Sequence, residues 1–368
     1  MNNTSLKTRI QRLIETSGPI SVSEYMTICL SDPDFGYYMT RDPFGTQGDF
    51  ITAPDISQMF GELIAIWSIG IWHALEKPSD IVLCEIGPGR ATLMNDMLRT
   101  ITQLAPSLAK SAKVVLVETS PRLIERQKEV LGSFEINIQW IDRFDAVPHG
   151  PLILVSNELF DALPIRQFVK YDGRFVERLI GLDEAGNFQF VSGVAGIDAS
   201  LLPKDHNATP EGTIFEVAPS RAALMQQISE RIATSRGAAL TIDYGHLKSG
   251  FGDTLQAMLK HAYDDVFANP GIADLTSHVD FQHLEEIAIR SGCKTGTMTQ
   301  GEFLLAMGLI ERAGRLGSGR GDDFQNKLRQ DVERLAAPDQ MGDLFKVLAI
   351  ADSKTSIFPL RANQNRPN

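Results

Sequence analysis

The sequence predicts a doubly wound α/β sheet, and three observations carry that prediction. Short apolar runs at Ile81–Ile86, Lys113–Val117, Ile136–Ile141 and Pro151–Ser156 alternate with stretches of helical periodicity. The first run ends in a glycine turn, Gly87-Pro88-Gly89, that opens a helix, and the first two runs each end in an acid, Glu85 and Glu118. Alternation of this kind builds a parallel sheet with right-handed crossovers, and such sheets bind ligands beyond the carboxyl ends of their strands.

The elements follow in order. Leu6, Ile10, Leu13 and Ile14 fall at helical spacing and predict a docking helix over Thr4–Glu15, followed by a second helix from about Val22 to Leu30. Asp32-Pro33-Asp34-Phe35-Gly36-Tyr37-Tyr38 is turn chemistry rich in aromatics, which must pack on the main body. Ser57 to Ala74 reads as a buried helix. After the glycine turn, Leu93, Met94, Met97 and Leu98 share one helical face; Leu123, Ile124 and Val130 mark the next helix. Gln167–Val169, Phe175–Gly181 and Phe188–Val191, around turns at Asp172-Gly173 and Ala185-Gly186, read as inserted antiparallel strands, with Thr213–Val217 as a pairing partner. The parallel pattern resumes at Gly237–Asp243. A helix at Phe281–Ser291, another through Phe324, Leu328, Val332 and Leu335, and a last strand at Phe345–Ala351 complete the series. Gly314 to Gly321 reads as a linker.

These elements divide the chain into an N-terminal helical and lid segment (1–78), a first half of the sheet domain (79–164), inserted hairpins (165–217), a second half with helical insertions (218–360) and a polar tail (361–368).

Composition narrows the classes of function. The 368 residues are 43% hydrophobic and 22% charged, ordinary for a globular enzyme, and no apolar run approaches the roughly 20 residues that span a bilayer. No membrane insertion is expected. The net charge of -11 argues against general nucleic-acid binding, which needs clustered Lys and Arg. Three cysteines form no paired motif, which excludes a disulfide framework, and the seven histidines are scattered without a zinc spacing. No metal is expected. Lys7, Arg9 and Arg12 give the first helix the look of a presequence, but it soon meets Glu15. The expected location is the cytoplasm of a bacterium, or the mitochondrial matrix of a eukaryote.

The turn Glu85-Ile86-Gly87-Pro88-Gly89 carries the chemistry. Gly87 and Gly89 allow close backbone approach to a ligand, and the helix behind them offers N–H groups to an anionic group such as a carboxylate. A dinucleotide fingerprint fits poorly: Thr92 stands where a third glycine belongs, Pro88 separates the other two, and Glu85 would repel pyrophosphate. Glu85 suits a cationic ligand group instead, such as the amino or sulfonium end of a methyl donor. Glu118, ending the second strand, can accept from both ribose hydroxyls; S-adenosylmethionine and NAD would each use it.

Glu85–Gly89 resembles motif I of class I methyltransferases. Longer stretches resemble the MidA-like family: Asp34–Tyr38, Gly48-Asp49-Phe50-Ile51-Thr52-Ala53-Pro54, Ser57–Glu62, Asn157-Glu158-Leu159-Phe160-Asp161-Ala162-Leu163-Pro164, Asp243-Tyr244-Gly245, Asp274–Phe281 and Met341–Leu348. The mitochondrial member of that family is a complex I assembly factor and protein arginine methyltransferase. The resemblance implies a seven-stranded sheet whose last strand is antiparallel, with hairpins and helices added over the active-site mouth. It implies S-adenosyl-L-methionine as cofactor and a protein substrate, a respiratory complex I subunit or similar. Trp140 and Asp142, ending the third strand, then become candidates for holding adenine, and Asp49 and Thr52 for closing over the donor.

Methyl transfer from a sulfonium is an in-line displacement that needs an aligned nucleophile and a place for its proton. Asn157, Glu158 and Asp161, at the carboxyl end of the fourth strand, are the candidate catalytic cluster. Were the chain helical there, Glu158 and Asp161 would share a face and grip a guanidinium together; a helix N-terminus capped by Asn157 is the structural alternative. Asp243 and Tyr244 are secondary candidates. Competing readings are an assembly chaperone that keeps the fold without catalysis, a small-molecule methyltransferase, and a nicotinamide-dependent oxidoreductase.

Overall fold

The computed structural model describes residues 5–40 and 51–360. Contacts divide the chain into two units, one taking residues up to 50 with 160–223 and 248–278, the other taking 51–159, 224–247 and 279 onward.

The larger unit holds the central sheet. Its strands are β1 (Val82–Ile86), β2 (Lys113–Val117), β3 (Ile138–Ile141), β4 (Leu152–Asn157), β5 (Gly237–His246), β6 (Lys294–Thr299) and β7 (Phe345–Ala351). They lie in the order β3-β2-β1-β4-β5-β7-β6, and the two-residue strand Val279–Asp280 pairs with the end of β5. β1 to β5 are parallel, and β7 runs antiparallel to both β5 and β6. All five residues of β1 are buried, which is why Val82, Leu83, Cys84 and Ile86 are apolar without alternation. On one face, Leu83, Ile153, Val155, Leu240 and Ile242 pack with Phe60, Ile64 and Trp67 of α1 (Gln58–Ala74) and with Met94, Met97 and Ile101 of α2 (Thr92–Leu104). The two helices approach at Gly61, where a Cβ would lie 2.6 Å from that of Asp96. Beside it, buried Glu62 is held by Arg312 at 2.6 and 2.9 Å, so its charge is paired rather than stranded. The strand order reverses between β1 and β4. There the crossovers leave to opposite faces and open a crevice beyond the strand ends.

The smaller unit is mainly antiparallel. Arg174–Leu182 pairs with Ile20–Ser21, Arg166–Tyr171 and Phe188–Gly196, and Arg166–Tyr171 also pairs with Ile214–Val217. A three-stranded sheet joins Gln256–Leu259 to Ala262–Asp264 and Asp274–Thr276. Tyr25, Met26, Ile165, Ile180 and Leu275 build its main core. A capping box between Ser21 and Glu24 starts its second helix, Val22–Ser31.

The expected linker at Gly314–Gly321 is corrected. Residues up to Gly317 belong to a helix, Leu309–Gly317, because Leu309, Ala313 and Leu316 form a stripe that packs on the core of the larger unit. The strands at 256–276 and the polar β6 carry no clear periodic signal, whereas the helix Pro219–Ser235, with buried Met225, Ile228 and Ile232 at helical spacing, is an element the sequence reading passes over.

Candidate functional site

The candidate site lies in the larger unit, at the carboxyl ends of β1, β2, β3 and β4. β1 delivers Glu85, which is 3% exposed, and its Oε2 is buried with no hydrogen-bond partner among the described residues. Burial, and after it the neighbouring Glu118, push the Glu85 carboxyl from 4.5 to about 8. An acid in that position is protonated at neutral pH unless a cation arrives. The turn that follows requires glycine: Gly87 has φ +69 and Gly89 φ +51. A Cβ on Gly87 would also lie 2.8 Å from Leu159 Cδ1, so the bare backbone makes room for the loop after β4. Pro88 is buried, and its carbonyl accepts from Ala91 N at 2.7 Å, closing the turn into α2.

The end of β2 is a hydrogen-bonded node. Glu118 Oε1 accepts from Thr119 N at 2.8 Å and Ser120 N at 2.9 Å, and Oε2 accepts from Gln127 Nε2 at 3.0 Å. A carboxylate has roughly four acceptor sites, so three are filled and one remains, fewer than two ribose hydroxyls need. Burial raises the Glu118 pKa, while Ser120, Gln127 and Thr119 pull it back. Trp140, at the end of β3, is partly buried; its Nε1 donates to Gln127 Oε1 at 2.9 Å, and Lys128 Nζ lies 5.9 Å from its ring. Asp142 is exposed.

At the end of β4 the chain does not turn helical. Asn157 is the last strand residue and Glu158 sits in the left-handed region at φ +50, so the shared helical face for Glu158 and Asp161, and the helix cap by Asn157, both fall away. Glu158 is partly buried. Its N donates to Ile242 O at 3.0 Å, and its Oε1 accepts from Asn157 Nδ2 at 2.9 Å and Ala53 N at 3.3 Å. Asn157 Oδ1 is buried without a partner among the described residues. Asp243, wholly buried, accepts from Leu159 N and Tyr244 N at 3.1 and 2.9 Å and so fixes the exit of β4.

Asp161 belongs to the smaller unit. It is buried, and its backbone carbonyl accepts from Ser277 N and from Arg221, which also binds Leu163 O, His278 O and the Ser277 hydroxyl. Tyr38 donates to Asp274 at 3.1 Å; burial first, then Asp274 and Asp161, raise its phenol pKa. Thr52 is 8% exposed and donates to Asp55 Oδ2 at 3.1 Å, whereas Asp49 lies outside the described residues.

Three residues were not singled out by the sequence. Asp55 Oδ1 accepts from Arg90 at 2.7 Å and Thr92 at 3.2 Å, tying the segment before α1 to the glycine turn. Arg90 follows that turn directly, which is a local signal. Gln127 is a stronger one, a polar residue at i+4 between Leu123 and Leu131 on the buried stripe of its helix.

Residues 63–299 match a family model described as an S-adenosyl-L-methionine-dependent methyltransferase. The chain is 35% identical to the mitochondrial protein arginine methyltransferase NDUFAF7 of Danio rerio, over 96% of this chain and 88% of that one. It is likewise 35% identical to the Homo sapiens protein of that name, over 92% and 81%. A solved structure from Burkholderia thailandensis, bound to S-adenosyl-homocysteine, superposes with a TM-score of 0.84 at 26% identity, covering 98% of this chain and 95% of that one. This chain belongs to the MidA-like family of S-adenosyl-L-methionine-dependent methyltransferases.

Proposed function

We propose that the chain methylates an arginine side chain of a protein, with the donor held over β1 to β3 and the guanidinium presented to Glu158. The observation that carries this reading is the Glu158 carboxylate, set at a left-handed bend beyond β4 and oriented by Ala53 N–H and the Asn157 amide. The relatives named protein arginine methyltransferases align over more than nine-tenths of the chain.

Glu85, Gly87, Gly89, Glu118 and Trp140 are the residues that would hold the donor. The buried, partnerless Glu85 Oε2 fits its ammonium end, because a cation there supplies the missing partner and favours the ionised acid. When bound, S-adenosyl-L-methionine supplies an electrophilic methyl carbon. The rest falls to the protein. Glu158 fixes the plane of the guanidinium through paired charge-assisted hydrogen bonds, and its carboxylate takes the proton that the nitrogen sheds. Asn157 and Ala53 keep that carboxylate from rotating away. Asp161 fixes its own loop within the smaller unit, through the bonds its carbonyl accepts from Ser277 and Arg221.

The direct test incubates host lysate with labelled donor, with and without the chain, and identifies labelled residues by mass spectrometry. Label on arginine, lost with Glu158→Gln, is the expected result. Label on lysine, on a carboxylate or only on small molecules would overturn the assignment.

A further inference from the structure

Gln127 is fully buried, and both ends of its carboxamide are hydrogen-bonded. Nε2 donates to Gly89 O at 2.8 Å and to Glu118 Oε2 at 3.0 Å, while Oε1 accepts from Trp140 Nε1 at 2.9 Å. Only one amide orientation works, since a flip would aim the carbonyl at two acceptors and the NH2 at a donor. One side chain therefore touches the glycine turn after β1, the acid ending β2 and the ring ending β3. Its helix, Pro121–Leu131, begins within a few residues of Glu118, so this reach costs no long loop.

We propose that Gln127 is the positioning residue of the donor site, fixing the Glu118 carboxylate, the Gly89 carbonyl and the Trp140 ring as one unit. The inference rests on the reading that the donor lies over β1 to β3. Gln127 itself is enclosed and makes no claim on the ligand. Its effect passes through three groups whose rotations would otherwise be independent. With Gln127 in place the Glu118 carboxylate is held at both oxygens and keeps about one acceptor site for a ribose hydroxyl; without it Oε2 gains an acceptor site but loses the bond that fixes where it points. Trp140, without its acceptor, would bury an unpaired indole N–H or turn outward.

The test uses S-adenosylhomocysteine binding by calorimetry to the full chain, alongside ligand-free melting. Gln127→Met preserves length and removes all three bonds; S-adenosylhomocysteine affinity is expected to fall about tenfold or more. Trp140→Phe removes the indole donor together with part of the ring face and should lose about two- to fivefold. In the indole region of an N–H correlation spectrum, the signal absent from Trp140→Phe should shift in Gln127→Met and lose its response to ligand. Melting that drops with affinity and indole response unchanged would overturn the proposal and leave Gln127 a packing residue. If Gln127→Met does not fold, unchanged affinity in Trp140→Phe overturns the linkage of ring and carboxylate. A Glu118→Ala control separates the two readings: wild-type affinity there refutes the donor site itself, whereas lost affinity there with normal binding in Gln127→Met refutes only the role of Gln127.

Discussion

The ends of β1 and β4 each present a glutamate, and the two are held in opposite ways. Glu85 lies within a regular strand, is fully enclosed, and has one carboxylate oxygen without a partner. Glu158 lies past its strand, at φ +50, partly open, with hydrogen bonds already orienting Oε1. An enclosed acid with a missing partner is neutral until a cation enters, so it selects a charged ligand at the cost of stability when empty. An acid oriented at a bend keeps its geometry but spends backbone strain on it, of order 1–3 kcal/mol for such a conformation. The first arrangement suits tight binding of a defined cation. The second suits brief contact with a large substrate.

The comparison predicts that the two ends fail differently. Glu158→Gln should lower turnover on an authentic protein substrate about a hundredfold or more, with S-adenosylhomocysteine affinity within about twofold of wild type. Parallel loss of affinity would merge the two ends into one site. Gly87→Val should lower that affinity by at least about tenfold. It should also lower the ligand-free melting temperature, because φ +69 disfavours a β-branched residue and the new side chain strikes Leu159. A folded variant with normal affinity would move the donor off the turn.

Glu85 gives a pH-dependent test. Its folded pKa, about 8, lies above the ordinary 4.5, so the folded state holds a proton that the unfolded state has lost. The contribution of this group is therefore full below about pH 4.5, declines as pH rises, and is gone above about pH 8. Glu85→Gln should flatten that slope: the ligand-free variant should melt roughly 2–5 °C above wild type at pH 8 and show no gain at pH 5. Its affinity for S-adenosylhomocysteine should fall all the same. Wild-type binding near pH 7 should release a proton, seen as a dependence of the calorimetric heat on buffer ionisation enthalpy. Equal heats in all buffers would show that Glu85 is not the ammonium partner. The smallest effect expected on turnover is Asn157→Leu, a loss of about three- to tenfold as Glu158 loses one orienting donor.

Much of this is legible in the sequence. Buried parallel strands declare themselves as unbroken apolar runs, and Lys113–Val117 and Phe345–Ala351 fall where the sequence placed them. The glycine turn and the two strand-end acids were equally plain, because they are local in sequence. β6 was not: Lys294, Thr295, Gly296, Thr297, Met298 and Thr299 alternate no apolar face, and only pairing with β7 makes them a strand.

By itself, the sequence determined β1 to β5, β7 and the acids at the ends of β1 and β2, since each depends on residues within a few positions of one another. Only the tertiary structure decided what those acids can do. The conformation after Asn157 depends on Ala53, Ile242 and Asp243, which approach from other elements and outweigh the helical reading of Asn157–Asp161. The pKa of Glu85 depends on enclosure, and the setting of Glu118 depends on Gln127 from its own helix with Gly89 and Trp140 beyond. Charge and hydrogen bonding act across space at a few ångströms, and residue order does not report that distance.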